Sequence, residues 1–120
     1  MNRVVHFEFA AEEPERAIEF YTKAFGWDFS KWDGGGSPYW MIKTGDSSEM
    51  GIDGGMALKV DSLADISNAI MVDSVDDAMI KVTDNGGILI SPKINLGDMG
   101  TMAYFKDTEG NIFSLFENGK

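Results

Sequence analysis

The stretch Asn68-Ala69-Ile70-Met71-Val72-Asp73-Ser74-Val75-Asp76-Asp77-Ala78-Met79-Ile80-Lys81-Val82-Thr83-Asp84-Asn85-Gly86-Gly87 decides the fold. Its first five residues, four of them apolar, read as a strand. Ser74 then offers an N-cap hydroxyl, and Asp76 and Asp77 fall in the first turn, where the helix dipole favours negative charge. Val75, Ala78, Met79 and Val82 recur at helical spacing, and Gly86-Gly87 stops the helix. Downstream, Ile88-Leu89-Ile90 reads as a strand and Ser91 to Gly97 as a loop. Met102-Ala103-Tyr104-Phe105 is a further strand, Asp107 to Asn111 a turn, and Ile112-Phe113-Ser114-Leu115-Phe116 the last strand.

The same order stands upstream. In His6-Phe7-Glu8-Phe9-Ala10, strand alternation puts the phenylalanines on one face and His6, Glu8 and Ala10 on the other. Pro14 sits at a first helical position after Glu12 and Glu13. Ala17, Ile18, Tyr21, Ala24 and Phe25 form the apolar stripe, and Gly26 ends it. Residues 27–32 and 38–43 read as a hairpin around Asp33-Gly34-Gly35-Gly36, and residues 55–60 as a fourth strand. The glycine runs Gly34 to Gly36 and Gly54-Gly55 read as turns. Neither has the strand–loop–helix setting and following lysine of a phosphate-cradling loop.

A shift of 61 residues brings Phe9 onto Ile70, Ala11 onto Val72, Ala17 onto Ala78 and Gly26 onto Gly87. The expected class is therefore α+β. Two tandem βαβββ modules, residues 1–60 and 66–118, build a single domain with a curved mixed sheet, a half-barrel around a cleft. The linker Asp61-Ser62-Leu63-Ala64-Asp65 is short and polar. The length of 120 residues agrees with one domain. No cysteine is present, which excludes disulfides, thiolate metal sites and a cysteine nucleophile. Ten basic against 20 acidic residues give a net charge of −10, which disfavours nucleic acid and anionic membranes. No apolar run reaches membrane-spanning length, and nothing at Met1 to His6 reads as a signal peptide, so a cytoplasmic address is expected.

Three local patterns carry a resemblance. His6 is followed by Phe20-Tyr21 and Gly26-Trp27. Val72-Asp73-Ser74-Val75-Asp76-Asp77-Ala78 runs to Gly86-Gly87. Phe105-Lys106-Asp107-Thr108-Glu109-Gly110-Asn111 looks like an Asp-Pro-Asp/Glu-Gly-Asn turn with Thr108 in place of proline. In this order and spacing the chain resembles the vicinal oxygen chelate superfamily of glyoxalase I, extradiol dioxygenases, and fosfomycin and bleomycin resistance proteins. It is most similar to small proteins related to lactoylglutathione lyase. The resemblance implies a divalent metal in the cleft, held from the first and last strand of each module and open to vicinal substrate oxygens. It also implies a homodimer and a small-molecule ligand.

Carried over by position, the implied metal ligands fall on His6, on Ser67, on Ser114 and somewhere in Asp53-Gly54-Gly55-Met56, where Asp53 alone could coordinate. Neutral serine is a poor ligand for a divalent metal. His6 is the only histidine, so a two-histidine set is impossible within one chain. The metal candidates are thus His6 and Asp53, and the expected ligand-binding cleft comprises His6, Glu8, Ser67, Met102, Tyr104 and Ser114. Whichever of Met102/Tyr104 or Ala103/Phe105 faces the cleft gives it an apolar wall, as Tyr39, Trp40 and Met41 would in the first module. Three functions stay open: a ligand-binding protein with a degenerate metal site, a metal-dependent lyase or isomerase using His6, Glu8 and Asp53, and a non-catalytic drug-sequestering protein.

Overall fold

The computed structural model describes residues 1–33 and 36–119. Among them are nine strands and two α-helices, the α+β class. Of the expected turn at Asp33 to Gly36, Gly34 and Gly35 lie outside the described residues. The chain divides into two compact units, His6–Ile66 and the stretch from Ser67 onward together with Met1–Val5. Strand β1 (Arg3–Ala11) contributes to both.

The unit His6–Ile66 contains most of β1, helix α1 (Pro14–Phe25), and strands β2 (Asp28–Trp32), β3 (Tyr39–Lys43) and β4 (Asp53–Leu58). Its strand order is β2-β3-β4-β1. The β1–β4 pair is parallel and the other two pairs are antiparallel. Pro14 opens α1, and Gly26 closes it at φ 73°, a conformation that glycine adopts without steric cost. Phe7 and Phe9 point to the helix side. Phe9 lies 5.0 Å from the Tyr21 ring, and Tyr21 stacks on Trp27 at 5.0 Å and 6°. Ile42 and Met56 are fully buried beneath this aromatic layer.

Three expectations change here. Gly54 and Gly55 are not a turn but lie inside β4. A Cβ on Gly54 would come within 2.5 Å of the Phe7 ring, and one on Gly55 within 1.8 Å of the Tyr39 hydroxyl. These glycines admit rings from either face of the sheet. The fourth strand starts at Asp53, the partner of His6, and ends at Leu58, because Lys59–Asp61 tightens into a 3₁₀ turn. The α1 stripe is shallower than its periodicity suggested: Ala24 and Phe25 are exposed and no residue of the helix is buried.

The other unit contains β5 (Ile66–Met71, from Ser67 on), α2 (Val75–Asp84), β6 (Ile88–Leu89), β7 (Ile94–Asn95), β8 (Gly100–Lys106) and β9 (Ile112–Asn118). Its order is β5-β9-β8-β6, with β7 also on β8. The two-residue β7 falls in the expected loop Ser91 to Gly97, too short to show a period of its own. Ser74 Oγ accepts the Asp77 N–H at 3.2 Å, and Glu117 Oε1 accepts the Val75 N–H at 2.9 Å, so two donors of the helix start are satisfied. Val72, Val75, Ala103, Phe105 and Leu115 form a buried aliphatic and aromatic core against α2. The Asn2 N–H donates to the Met71 carbonyl at 2.8 Å and ties Met1–Val5 to this unit.

The Asp107 to Asn111 turn is built as expected. Asp107 Oδ1 accepts the N–H groups of Glu109 and Asn111, Oδ2 accepts Asn111 Nδ2, and Gly110 takes φ 87°. The Asn111 side chain, and then its backbone N–H, hold the Asp107 carboxyl below its ordinary range.

Candidate functional site

Strand alternation and pairing register fix the face of the His6–Ile66 unit opposite α1. His6, Glu8 and Ala10 share it. In the parallel β1–β4 pair, His6 stands beside Asp53 and Glu8 beside Gly55. In the antiparallel β3–β4 pair, Met41 stands beside Gly55 and Tyr39 beside Ala57. The Tyr39 ring therefore lies over Gly55, in the space a side chain there would take. Its hydroxyl donates to Glu8 Oε1 at 3.0 Å and lies 3.4 Å from His6 Nε2. Trp32 meets the Tyr39 ring edge-on at 6.2 Å. His6 and Glu8, expected to share a face, are thus joined through Tyr39.

Burial holds the His6 imidazole below its ordinary pKa, and the nearby Asp53 charge opposes the shift in part. The ring is neutral at pH 7. Asp53 Oδ1 accepts the Thr44 N–H at 2.9 Å and the Thr44 hydroxyl at 3.2 Å. This carboxylate therefore fastens the end of β3 to the start of β4.

In the other unit, Ala103, Phe105 and Leu115 point into the α2 core. Alternation then places Met102, Tyr104 and Ser114 on the opposite face. Tyr104 pairs with Ser114, Met102 with Phe116, and Ala69 with Ser114. Ser67, two residues before Ala69, shares this face. Ser67 and Ser114 are both buried, at 5% and 4% exposure. The Tyr104 N–H donates to Ser91 Oγ at 2.9 Å.

Tyr39 is the residue that sequence reasoning placed in the wrong role. It was expected as part of an apolar wall, and it is a polar bridge between two ionisable side chains. The signal that could have found it is Gly55, a strand residue with no side chain directly beside Glu8.

The register also tests the implied metal ligands. A shift of 61 takes Glu8 to Ala69; the cross-strand partner of Glu8 is Gly55 and that of Ala69 is Ser114. The first-module position equivalent to Ser114 is therefore Gly55, and Asp53 lies two residues ahead of it. One imidazole, two serine hydroxyls and a glycine do not make a donor set for a divalent ion. Among the described residues no group of three or more His, Asp or Glu is arranged to hold a metal.

Comparison with known proteins agrees with this architecture. A 112-residue alignment with a glyoxylase-like domain-containing protein from Didymella fabae is 32% identical and covers 90% of this chain and 88% of that protein. The putative glyoxylase CFP32 of Mycobacterium bovis is also 32% identical, over 84% of this chain; the chain spans 40% of that longer relative. Among solved structures, the hypothetical protein BH1468 from Bacillus halodurans superposes with a TM-score of 0.75 at 14% identity, covering 99% of this chain and 96% of that one. A Streptomyces coelicolor methylmalonyl-CoA epimerase in complex with 2-nitronate-propionyl-CoA gives 0.72 at 18% identity, covering 100% of this chain and 99% of that one. At such identities these two structures speak for the fold alone. The sequence model of the Glyoxalase/Bleomycin resistance protein/Dioxygenase superfamily matches residues 3–115, and the chain belongs to that superfamily.

Proposed function

We propose that this chain is a glyoxalase-like small-molecule-binding protein with a degenerate metal site, in which hydrogen-bonded side chains stand where family members hold a divalent ion. The observation that supports this is the exchange at Gly55. The position that should offer a ligand carries no side chain, and the Tyr39 hydroxyl lies within 1.8 Å of where its Cβ would be, bonded to Glu8 instead. The ligand is a compact oxygen-bearing or aromatic compound. The net charge of −10 favours a neutral or cationic one. The protein acts in the cytoplasm as a homodimer, a state that light scattering checks directly.

The test is metal analysis of untagged protein after exposure to nickel, zinc, cobalt, iron and manganese, followed by gel filtration. A histidine tag must be absent, since it would add the ligand type in question. The expected result is no retained metal. One tightly held metal per chain would overturn the reading in favour of a lyase or isomerase using His6, Glu8 and Asp53. The charge also favours a second reading, sequestration of a basic drug. Binding of a cationic glycopeptide that strengthens at low salt would support it, and no binding there would remove it.

A further inference from the structure

Tyr39 has one hydroxyl proton, and that proton points to Glu8 Oε1 at 3.0 Å. It is not available to His6. The 3.4 Å approach of His6 Nε2 to the same oxygen is then a hydrogen bond only if the imidazole donates. The bond is long, but its direction is fixed by the phenol's commitment to the carboxylate. A neutral imidazole that carries its proton on Nε2 carries its lone pair on Nδ1. Among the described residues no hydrogen bond is made to Nδ1.

We infer that the Glu8–Tyr39 pair locks His6 as the Nε2–H tautomer, so that Nδ1 is the acceptor for a ligand's hydroxyl or other polarised X–H group. Tyr39 is then a positioning residue: it acts on the ligand through the ring of His6. The inference rests on the proposed ligand-binding role and deepens it, because it names the ligand chemistry: a hydrogen-bond donor presented to a nitrogen base beside a carboxylate. A ligand offering only acceptor oxygens would meet the lone pair on Nδ1. A hydroxyl-bearing ligand, such as a catechol or an enol, is complementary.

The single histidine makes the test direct, because the ring nitrogens need no assignment. Nitrogen NMR of the histidine-labelled full chain, at neutral pH with a chelator present, reads the tautomer. The expected result is a protonated Nε2 and an unprotonated Nδ1; a protonated Nδ1 overturns the inference. Glu8→Ala releases the phenol proton toward Nε2, so the tautomer shifts to Nδ1–H. Tyr39→Phe removes the bias and leaves a mixture. If neither variant moves the ratio in folded protein, the lock is refuted. Should one variant fail to fold, the other and the wild-type tautomer still decide. Millimolar catechol, the probe ligand, moves the Nδ1 resonance saturably if Nδ1 is the acceptor; an unmoved resonance overturns the ligand assignment. Metal retention, which would sink the proposed function, is read separately from the metal analysis.

Discussion

Apart from the short extra strand β7, the two units share an element order and a strand-pairing pattern, yet they are built from different materials. The unit from Ser67 onward buries Val72, Val75, Ala103, Phe105 and Leu115 against a helix with a satisfied N-terminus. The His6–Ile66 unit sets half-exposed aromatic rings against a helix none of whose residues is buried and whose N-cap, Glu13, makes no capping hydrogen bond with its side chain. The opposite sheet faces differ in the same way. One carries neutral Ser67, Ser114, Met102 and Tyr104. The other carries His6, Glu8, Asp53 and Tyr39. The repeat thus transmits backbone geometry and not chemistry. The ionisable groups lie in the unit whose packing is shallower.

The sharpest way to break this comparison is through the cores. Leu115→Ala should cost about 2–5 kcal/mol in urea unfolding, because it opens a cavity in a packed cluster. Phe20→Ala on α1, at a side chain 58% exposed, should cost less than about 0.5 kcal/mol. Equal losses would show that the Phe20 side chain is packed as tightly as that of Leu115. Next in size is the glycine under Tyr39. Gly55→Ala should cost about 1–3 kcal/mol through overpacking. Adding Tyr39→Ala should recover most of that, and a double-mutant cycle measures the coupling. Additive effects would mean that the ring does not occupy the space. Ser74→Ala should cost about 1 kcal/mol, whereas Glu13→Ala at the equivalent helix start should cost almost nothing.

The smallest effect is on the pH dependence. The His6 pKa is lowered on folding, so between the folded value and the ordinary value of about 6.5 the unfolded chain binds more protons. Stability should therefore fall as pH drops below about 6.5. His6→Gln should flatten that part of the profile measured by thermal unfolding, and an unchanged slope would assign it elsewhere.

The fold was legible because its signals are local. Pro14, Gly26, Ser74 and Gly86 punctuate the helices at the positions where the structure begins and ends them, within two residues. The faces of β1 followed from alternation alone, whereas in β8 alternation separated Met102 and Tyr104 from Ala103 and Phe105 and only the α2 core showed which pair turns inward. What was not legible depends on distant partners. Gly54 and Gly55 look like turn residues until the rings of Phe7 and Tyr39 arrive from strands 47 and 16 positions away. The register of β4 was open because the residues between Lys43 and Asp53 have no periodicity, and a one-residue slip reverses which side chains share a face with His6. The polar role of Tyr39 follows from that register, so it could not be read before it.

The assignment of Met1–Val5 to the later unit has a consequence for biosynthesis. Asn2 leaves the ribosome 69 positions ahead of its backbone partner, the Met71 carbonyl. Residues 6–66 can assemble from nascent chain already made, while the leading segment waits in solution. A chaperone that held Met1–Val5 during this interval would delay completion of the half translated last.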